Sequence, residues 1–294
     1  MRDTPHPEHP SPRHLMLIRA CHHRGLVIGG LIVLAALLVA LSAPWIAPHD
    51  PYLQDLGRRA LPPVWHERGT WAHVFGTDAL GRDYLSRLIH GARVSLLIGI
   101  CAALGSGLIG TTLGLIAGYY GGWVDNVVTF FVSVRLALPV VLVALAIVSI
   151  FGGSLWIVVA VLSLLLWDRF AVVVRAATQQ LRGREFVTAA RAMGASTPRI
   201  LLAELLPNLT GPLVVIASLE IAHAILLESA LSFLGLGVQP PVPSWGLMVS
   251  EGRAMVFFDP RLIALPGAAI ALLVLGINLI GDGLRDVLTP EGRE

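Results

Sequence analysis

Long apolar segments alternate with short polar ones along this chain. No charged side chain occurs between Arg93 and Asp125, and none occurs between Arg135 and Asp168. Each of these gaps exceeds the roughly 20 apolar residues that a helix needs to cross a bilayer. We therefore expect an all-α membrane protein, with a soluble protein of unusually large buried helices as the alternative. The predicted membrane-spanning helices are six, at about 25–47, 94–118, 124–150, 155–178, 208–234 and 262–282.

The first apolar run has to be distinguished from a cleaved signal peptide. Leu41, Ser42 and Ala43 imitate a signal-peptidase site. However, the run from Gly25 to Ala43 is longer than the roughly 7–15 apolar residues of a signal core. We interpret 25–47 as an uncleaved first membrane helix.

The distribution of arginine predicts the orientation in the membrane. With the N-terminus in the cytoplasm, the inner segments carry twelve arginines and the outer segments carry eight. Cytoplasmic segments are enriched in basic residues, so this orientation is favoured. It predicts a cytoplasmic N-terminal tail, a first membrane helix, a periplasmic loop, a core that includes a cytoplasmic loop at 179–207, and a cytoplasmic C-terminal tail. The boundaries of these five parts are 1–24, 25–47, 48–93, 94–284 and 285–294.

Composition excludes several classes of function. Only 14% of the residues are charged, against about a quarter in soluble domains. All 21 basic residues are dispersed arginines and the net charge is +2, which does not favour nucleic-acid binding. A phosphate-binding loop of the G-x-x-x-x-G-K-[ST] type requires a lysine, which the chain lacks. We find no hydrolase or metalloprotease motif either, and expect neither catalysis nor a cofactor or metal in this chain.

One polar segment, around residues 186–208, interrupts the apolar pattern. Gly194 is expected to end a helix in the left-handed conformation. Thr197 is predicted to cap a second helix with Pro198 at its first position, and Pro207 to end or kink that helix. Two interpretations stay open: a helix lying on the membrane interface, and a slim element that enters a groove of another protein. The residues predicted to share one face are Phe186, Ala190, Met193, Gly194 and Thr197.

The fifth predicted span carries three ionisable residues, Glu220, His223 and Glu228. Such groups are costly in a bilayer and usually face a bundle interior or a water-filled path. At 100° per residue, His223 and Glu228 lie about 60° to one side and about 80° to the other side of Glu220. One interpretation is that they form a polar stripe on a translocation path. The other is that they make hydrogen bonds to neighbouring helices or to a partner subunit.

Part of the polar segment resembles the cytoplasmic EAA loop of bacterial ABC importer permeases. That loop has Glu-Ala-Ala, three further residues, a glycine, nine residues, and then Ile-x-Leu-Pro. Thr188 stands here in place of the glutamate, and Glu204 in place of the isoleucine. The matching positions are Thr188, Ala189, Ala190, Gly194, Leu206 and Pro207.

Three further blocks resemble the dipeptide/oligopeptide/nickel subfamily of these permeases, and most of all the "C" permease subunits of dipeptide importers. The likeness runs from about residue 25 to residue 288. The blocks are 73–95, with Gly76-Thr77-Asp78 and Gly81-Arg82-Asp83; 231–246, with Trp245-Gly246; and 278–286, with Gly281-Asp282-Gly283.

The resemblance implies a type I ABC importer permease fold and one half of a translocation path for dipeptides or oligopeptides in a bacterial inner membrane. The implied partners are a homologous second permease, two cytoplasmic ATPases that hold ATP and Mg²⁺, and an extracytoplasmic peptide-binding protein. The same fold carrying nickel, glutathione or another small solute is one alternative, and a membrane docking or assembly protein is another. The implied ATPase-coupling residues are Thr188, Ala189, Ala190, Arg191, Gly194 and Pro207. The hypothesised docking residues for the binding protein are Gly76, Thr77, Asp78, Arg82, Asp83 and Trp245.

Overall fold

The computed structural model describes residues 20–288, and this part of the chain is helical with no β-strand beyond an isolated bridge between Thr77 and Asp83. Residues 1–19 and 289–294, where most of the predicted N-terminal tail and the end of the C-terminal tail fall, lie outside the described residues. The main helices are α1 (Arg24–Ile46), α2 (Tyr84–Tyr120), α3 (Gly122–Ala137), α4 (Val140–Phe151), α5 (Leu155–Leu165), α6 (Trp167–Leu181), α7 (Glu185–Ala192), α8 (Thr210–Phe233), α9 (Trp245–Gly252) and α10 (Arg261–Leu288).

The long helices agree with the prediction of six spans. Five are long and apolar enough to cross a membrane, with α5 and α6 together forming one of them, Leu155–Leu181. The pair α3 and α4, which is bent by 86°, makes a sixth if the two helices cross the membrane together as one broken span. The predicted span at 124–150 therefore consists of two helices with a break between them. The break falls at Leu138, whose extended backbone (φ −94°, ψ 130°) is the conformation that a following proline imposes.

Two predicted boundaries are corrected by the structure. Helix α2 begins at Tyr84 rather than at residue 94, because Asp83 caps it by accepting a hydrogen bond from the backbone N–H of Ser86 at 2.8 Å. The loop after α1 therefore spans 47–83 instead of 48–93. Helix α10 continues to Leu288, so the predicted C-terminal tail from 285 begins inside this helix. Hydropathy missed both extensions because the added turns carry charged residues.

Helix α2 packs closely along α6 through a row of glycines. A Cβ atom at Gly110 would lie 2.2 Å from the carbonyl oxygen of Trp167, and one at Gly114 would lie 2.7 Å from that of Ala171. One turn further, a Cβ atom at Gly118 would lie 2.6 Å from Thr178. Small residues at every fourth position let two helix backbones approach in a membrane, where the apolar effect gives little driving force between helices.

Both ends of the described chain lie at the same end of the bundle. His23, which caps α1 by accepting from the N–H of Leu26, lies 3.2 Å (Nε2 to Oδ2) from Asp286 near the end of α10. At the opposite end, Arg261 at the start of α10 donates to the carbonyl oxygen of Leu61 in the 47–83 loop at 2.7 Å. The loop is thus folded onto the bundle end that lies away from residues 23 and 286.

Large apolar side chains remain exposed along several helices. They are the surfaces that a lipid tail or another membrane subunit covers, because water would leave them unfavourably solvated. The set includes Leu31, Leu38 and Leu41 on α1, Phe130 and Phe131 on α3, and Leu142, Ile150 and Phe151 on α4.

Candidate functional sites

The polar segment between α6 and α8 is built around a glycine turn. Gly194 has φ +78°, as predicted, and its N–H donates to the carbonyl of Arg191. The N–H of Ala195 reaches back to the carbonyl of Ala190. This pair of bonds is the Schellman arrangement, which satisfies the last carbonyls of a helix and requires a left-handed residue. Gly194 therefore ends α7 and sets the direction of the chain that follows.

The second helical segment, 197–208, differs from the prediction. Its N-cap is Ser196, with Thr197 as the first helical residue and Pro198 the second, and no side chain makes the capping bond. Pro207 does not end the helix. Instead, the six residues Ile200–Leu205 before it form a π-helical turn. A proline ring crowds the carbonyl four residues earlier, and a wider turn relieves that contact.

The residues that were predicted to share one helical face do not lie together in the structure. Val187 and Ala190 are buried with Ile200 in an apolar cluster against α2 and α6, whereas Met193 is 82% exposed. Phe186 is also on the exposed side. The predicted face mixed residues from before and after the turn at Gly194, and the turn rotates them apart.

Arg191 holds α7 against the end of α2. Its Nη2 donates to the hydroxyl of Tyr119 at 3.3 Å, and its guanidinium lies 5.5 Å from the centre of the Tyr119 ring. Thr188 and Ala189 are exposed on α7, and Met193 is exposed directly after its last residue. We call the segment 185–208 the cytoplasmic-type element, after the cytoplasmic EAA loop that it resembles, and its three exposed residues Thr188, Ala189 and Met193 its edge. Its short side chains around one protruding methionine suit insertion into a groove of another protein.

A cluster of buried charges lies at the other end of α2. The Asp78 carboxylate accepts hydrogen bonds from Arg82 Nε at 2.7 Å and from Arg87 Nη1 at 2.5 Å. Both guanidiniums also reach Glu251, at 3.1 and 2.7 Å. Burial by itself raises the pKa of Asp78, but the charges of Arg87 and Arg82 and two backbone N–H donors outweigh it, and the pKa lies below its usual value. The two carboxylates thus balance the charges of the two guanidiniums. Arg87 itself is fully buried.

The residues hypothesised to dock a binding protein are buried and form the interior of this end of the molecule. Thr77 is inaccessible, and its hydroxyl accepts from the N–H of Leu61 at 2.9 Å. At Gly76 (φ +70°) a Cβ atom would lie 2.1 Å from the carbonyl oxygen of Leu61. Trp245 donates its indole N–H to the carbonyl of Leu88 at 2.9 Å. The assignment of these six residues as a contact surface is therefore corrected: they hold the loop onto α2 and α9. The six are Gly76, Thr77, Asp78, Arg82, Asp83 and Trp245, and all are buried.

Within the bundle, Glu220 is paired with a residue that sequence reasoning missed. Its carboxylate accepts from Arg169 Nη1 at 3.2 Å and lies 3.4 Å from His223 Nδ1. Glu220 is fully buried, whereas the Arg169 side chain is 53% exposed and that of His223 is 30% exposed. The sequence did contain a signal for this pairing, because Arg169 is a charged residue inside an apolar span and such a residue usually has a partner. Of the three, Arg169 and His223 are the groups that are exposed at the surface of this chain.

Glu228 belongs to a different environment from Glu220. It is inaccessible, and its Oε1 accepts from the hydroxyls of Ser232 at 2.7 Å and Ser244 at 2.9 Å. Ser244 is also the N-cap of α9 and accepts from the N–H of Leu247. Of the two interpretations for Glu228, the structure supports hydrogen bonding to a neighbouring segment: it joins α8 to α9. The three residues of the fifth span do not form one stripe.

Two substitutions at Glu228 are expected to show whether its hydrogen bonds between α8 and α9 or its charge matters for stability. Glu228→Gln keeps an oxygen that both serine hydroxyls can donate to, whereas Glu228→Leu leaves Ser232 and Ser244 without that acceptor. We expect Glu228→Leu to lower the unfolding free energy by about 1–3 kcal/mol, the cost of unsatisfied buried polar groups. The measurement is thermal unfolding of the purified protein in detergent. A Glu228→Gln variant that unfolds as readily as Glu228→Leu would contradict this role.

Comparison with known proteins places these features in a family context. Residues 110–293 match the family of binding-protein-dependent transport system inner membrane components, and residues 11–63 match the N-terminal TM domain of oligopeptide transport permease C. The chain is 43% identical over 283 residues to the di/tripeptide transport system permease protein DppC of Pseudomonas aeruginosa, covering 96% of this chain and 93% of that protein. It is 44% identical to the dipeptide permease DppC of Escherichia coli K12, covering 92% and 90%.

Two further similarities bear on cargo and on fold. The glutathione transport system permease protein GsiD of Pectobacterium atrosepticum is 40% identical, with 90% of this chain and 86% of that protein covered. Among solved structures, an inward-facing form of the MetNI methionine ABC transporter matches with a TM-score of 0.55 at 19% identity, covering 68% of this chain and 96% of that one. At that identity the likeness concerns the fold alone.

Proposed function

Because this chain belongs to the family of binding-protein-dependent transport system inner membrane components, and is thus a transport subunit rather than an enzyme, we propose that it forms one half of the translocation path of an ATP-driven importer of dipeptides and short peptides. The single observation that carries the peptide cargo is the 43% identity across 96% of the chain to a di/tripeptide permease. Import of glutathione, itself a short peptide-like solute, is the second candidate, and the similarity to the glutathione permease favours it over nickel.

The positions of the two ends of α2 support the proposed topology. At 1.5 Å per residue this 37-residue helix is about 55 Å long, well beyond the roughly 30 Å of hydrocarbon in a bilayer. The buried charge cluster lies at its beginning, and the cytoplasmic-type element lies at its end beside Tyr119. The two therefore belong on opposite sides of the membrane. The arginine distribution favours the cytoplasm for the element at Tyr119, and with it both ends of the chain.

The cytoplasmic-type element is the proposed contact with one of two ATPase subunits, which supply the bound ATP and Mg²⁺. Its Schellman turn holds the edge of Thr188, Ala189 and Met193 in a fixed position relative to α2 and α6. A push on this edge is transmitted directly into two spans, since Val187 and Ala190 pack against them. A homologous second permease is proposed to cover the exposed apolar faces of the bundle.

On the outer side, the exposed residues of the 47–83 loop replace the buried motif as the proposed contact with a peptide-binding protein. Trp65 and Trp71 project from this loop, with Trp71 82% exposed. Exposed tryptophans supply large contact area with little loss of conformational freedom. Inside the bundle, Arg169 and His223 are proposed to meet the carboxylate or the backbone of a passing peptide, while Glu220 keeps Arg169 in place.

The experiment that tests this function is reconstitution of the complex in liposomes with binding protein and internal ATP. We expect uptake of labelled dipeptide, with competition by tripeptides. Saturating uptake of glutathione without measurable uptake of dipeptides would transfer the cargo to the second candidate. A complex that assembles and hydrolyses ATP but carries neither would overturn the proposal.

The proposed topology predicts the labelling of single cysteines. Thr70 is exposed in the 47–83 loop, and Thr188 is exposed on the cytoplasmic-type element. In a background with Cys21→Ser and Cys101→Ala, Thr70→Cys is expected to react in intact cells with an impermeant maleimide. Thr188→Cys is the matched control, expected to react only after the inner face is opened. The opposite pattern of labelling would invert the topology.

A further inference from the structure

Three separated parts of the chain bring metal-binding side chains together beside the start of α2. His49 follows α1, His73 lies in the middle of the 47–83 loop, and Asp83 caps α2. The two imidazole rings are stacked with their centres 4.7 Å apart. His73 Nδ1 lies 2.8 Å from Asp83 Oδ1, and His49 Nδ1 lies 3.7 Å from the same oxygen. One ligand atom from each residue lies within 4.8 Å of those of the other two.

The Asp83 carboxylate is oriented by bonds that leave one oxygen for the imidazoles. Its Oδ2 accepts from the backbone N–H of Ser86 at 2.8 Å and from the Ser86 hydroxyl at 2.7 Å. The backbone N–H of His49 donates to the same hydroxyl at 3.0 Å. His49 and Asp83 are thus positioned by one serine, and Asp83 Oδ1 faces the two rings. Partners of this kind, which orient a ligating carboxylate, are typical of metal sites.

Two ring nitrogens in this cluster are buried without a hydrogen-bond partner, His49 Nδ1 and His73 Nε2. Buried polar atoms normally have partners, so each such exception needs a physical reason. The 3.7 Å between His49 Nδ1 and Asp83 Oδ1 is too long for a hydrogen bond. It is close to the separation of about 3.4 Å between two ligands on a tetrahedral ion with bonds near 2.05 Å. A cation between these two atoms would give His49 Nδ1 a partner.

We propose that His49, His73 and Asp83 form a binding site for a divalent first-row transition cation, for which Zn²⁺ is the probe. Two imidazoles and one carboxylate are ligands that zinc accepts, and hard cations such as Mg²⁺ prefer oxygen alone. The proton that His73 Nδ1 shares with Asp83 moves to His73 Nε2 on binding. Because Nε2 has no partner to lose, the change of tautomer breaks only the bond that the ion replaces, and the 2.8 Å between His73 Nδ1 and Asp83 Oδ1 widens to about 3.4 Å.

The ion joins the end of α1, the middle of the loop and the start of α2. His73 and Asp83 are almost completely enclosed, whereas the His49 side chain is 35% exposed. The ion therefore enters from the side of His49, where a water molecule completes four-fold coordination. Cross-linking these three segments restrains the loop that carries Trp65 and Trp71. The site makes the loop's rigidity depend on the cation, independently of which solute is transported.

The test is Zn²⁺ binding to the purified complex of this chain with its partner subunits, measured by equilibrium dialysis with metal analysis. The variant is His49→Phe, which preserves a ring for stacking on His73 but removes both ligand nitrogens. His66→Phe, at an exposed histidine of the same loop, is the matched control. We expect one zinc ion fewer per copy of this chain in His49→Phe than in the wild type and in His66→Phe, and no competition by millimolar Mg²⁺.

Binding to the histidines near the N-terminus, such as His6 and His9, is the same in all three proteins and cancels in this comparison. Equal zinc content in the wild type and His49→Phe would overturn the proposal. If His49→Phe does not assemble, Asp83→Asn decides, because its amide oxygen can still accept from the N–H of Ser86. A second measurement records the visible spectrum of the wild type with Co²⁺ and subtracts the spectrum of Asp83→Asn with Co²⁺. A four-coordinate visible spectrum in this difference supports the site, and its absence overturns it.

Discussion

Gly194→Leu is expected to abolish peptide uptake by the reconstituted importer while leaving the complex assembled. Gly194 has φ +78° and a Cβ atom there would meet open space, so the substitution introduces no steric overlap with a neighbour. It strains only the backbone, since a left-handed residue with a side chain costs about 1–2 kcal/mol. That strain is relieved by unwinding the Schellman turn, which displaces the edge of Thr188, Ala189 and Met193. The measurement is uptake alongside ATPase activity stimulated by the binding protein.

Two matched variants separate this conformational effect from simple crowding of the ATPase contact. Gly183 lies two residues before the 185–208 segment, also faces open space and has no positive φ, so Gly183→Leu is expected to transport normally. Gly194→Asn is expected to recover much of the activity, because asparagine tolerates the left-handed conformation better than other residues. Normal coupling in Gly194→Leu, or equal loss in Gly194→Asn, would contradict the role of the glycine turn.

Arg87→Met is expected to give the largest loss of stability among single substitutions at the end of the bundle that carries the 47–83 loop. Arg87 is completely buried between Asp78 and Glu251, and methionine fills much of its volume without its charge. The two carboxylates then share Arg82 alone. Removing one partner from a buried set of charges costs about 3–5 kcal/mol, because an uncompensated charge remains. The measurement is thermal unfolding of the detergent-purified complex, together with its yield.

Arg58→Met is the control for this prediction. Arg58 also pairs with an aspartate, Asp55, but both side chains are about half exposed or more. Exposed ion pairs contribute about 0–1 kcal/mol, so this variant is expected to unfold close to the wild type. Adding Asp78→Leu to Arg87→Met removes one carboxylate and leaves Arg82 with Glu251, which restores a balance of charge. The charges would act independently if Asp78→Leu destabilised the Arg87→Met variant by as much as it destabilises the wild type.

The helical content and the number of spans follow from properties that are local in sequence. An apolar run of more than 20 residues has to satisfy its backbone internally in a bilayer, and a helix does so without any partner. Gly194 was predictable for the same kind of reason, since a helix end needs a residue that adopts positive φ. The break before Pro139 was also encoded locally, in the conformation that a proline imposes on Leu138, although hydropathy alone gave no sign of it.

The environments of the polar residues were not predictable in this way. Helical periodicity placed Glu220 and Glu228 on neighbouring faces of one span, yet one is bound to Arg169 of α6 and the other to Ser244 before α9. Those partners lie 51 and 16 residues away in sequence. Similarly, the motif around Asp78 was expected on the surface, but Glu251 and Arg87 enclose it. A charge is buried only where opposite charges from distant segments meet it, and that meeting depends on packing.

The amino-acid sequence alone indicates that this protein crosses a membrane several times, that it has no lysine-dependent phosphate loop, and that a helix of its polar segment ends at Gly194. Each of these properties depends on a short run of residues and on how that run interacts with its own backbone and with the surrounding solvent or lipid. The three-dimensional packing was needed to see that the motif around Asp78 is an interior and that His49, His73 and Asp83 converge. Convergence of this kind follows from how whole helices pack, because a buried polar atom takes whichever partner the fold brings within about 3 Å.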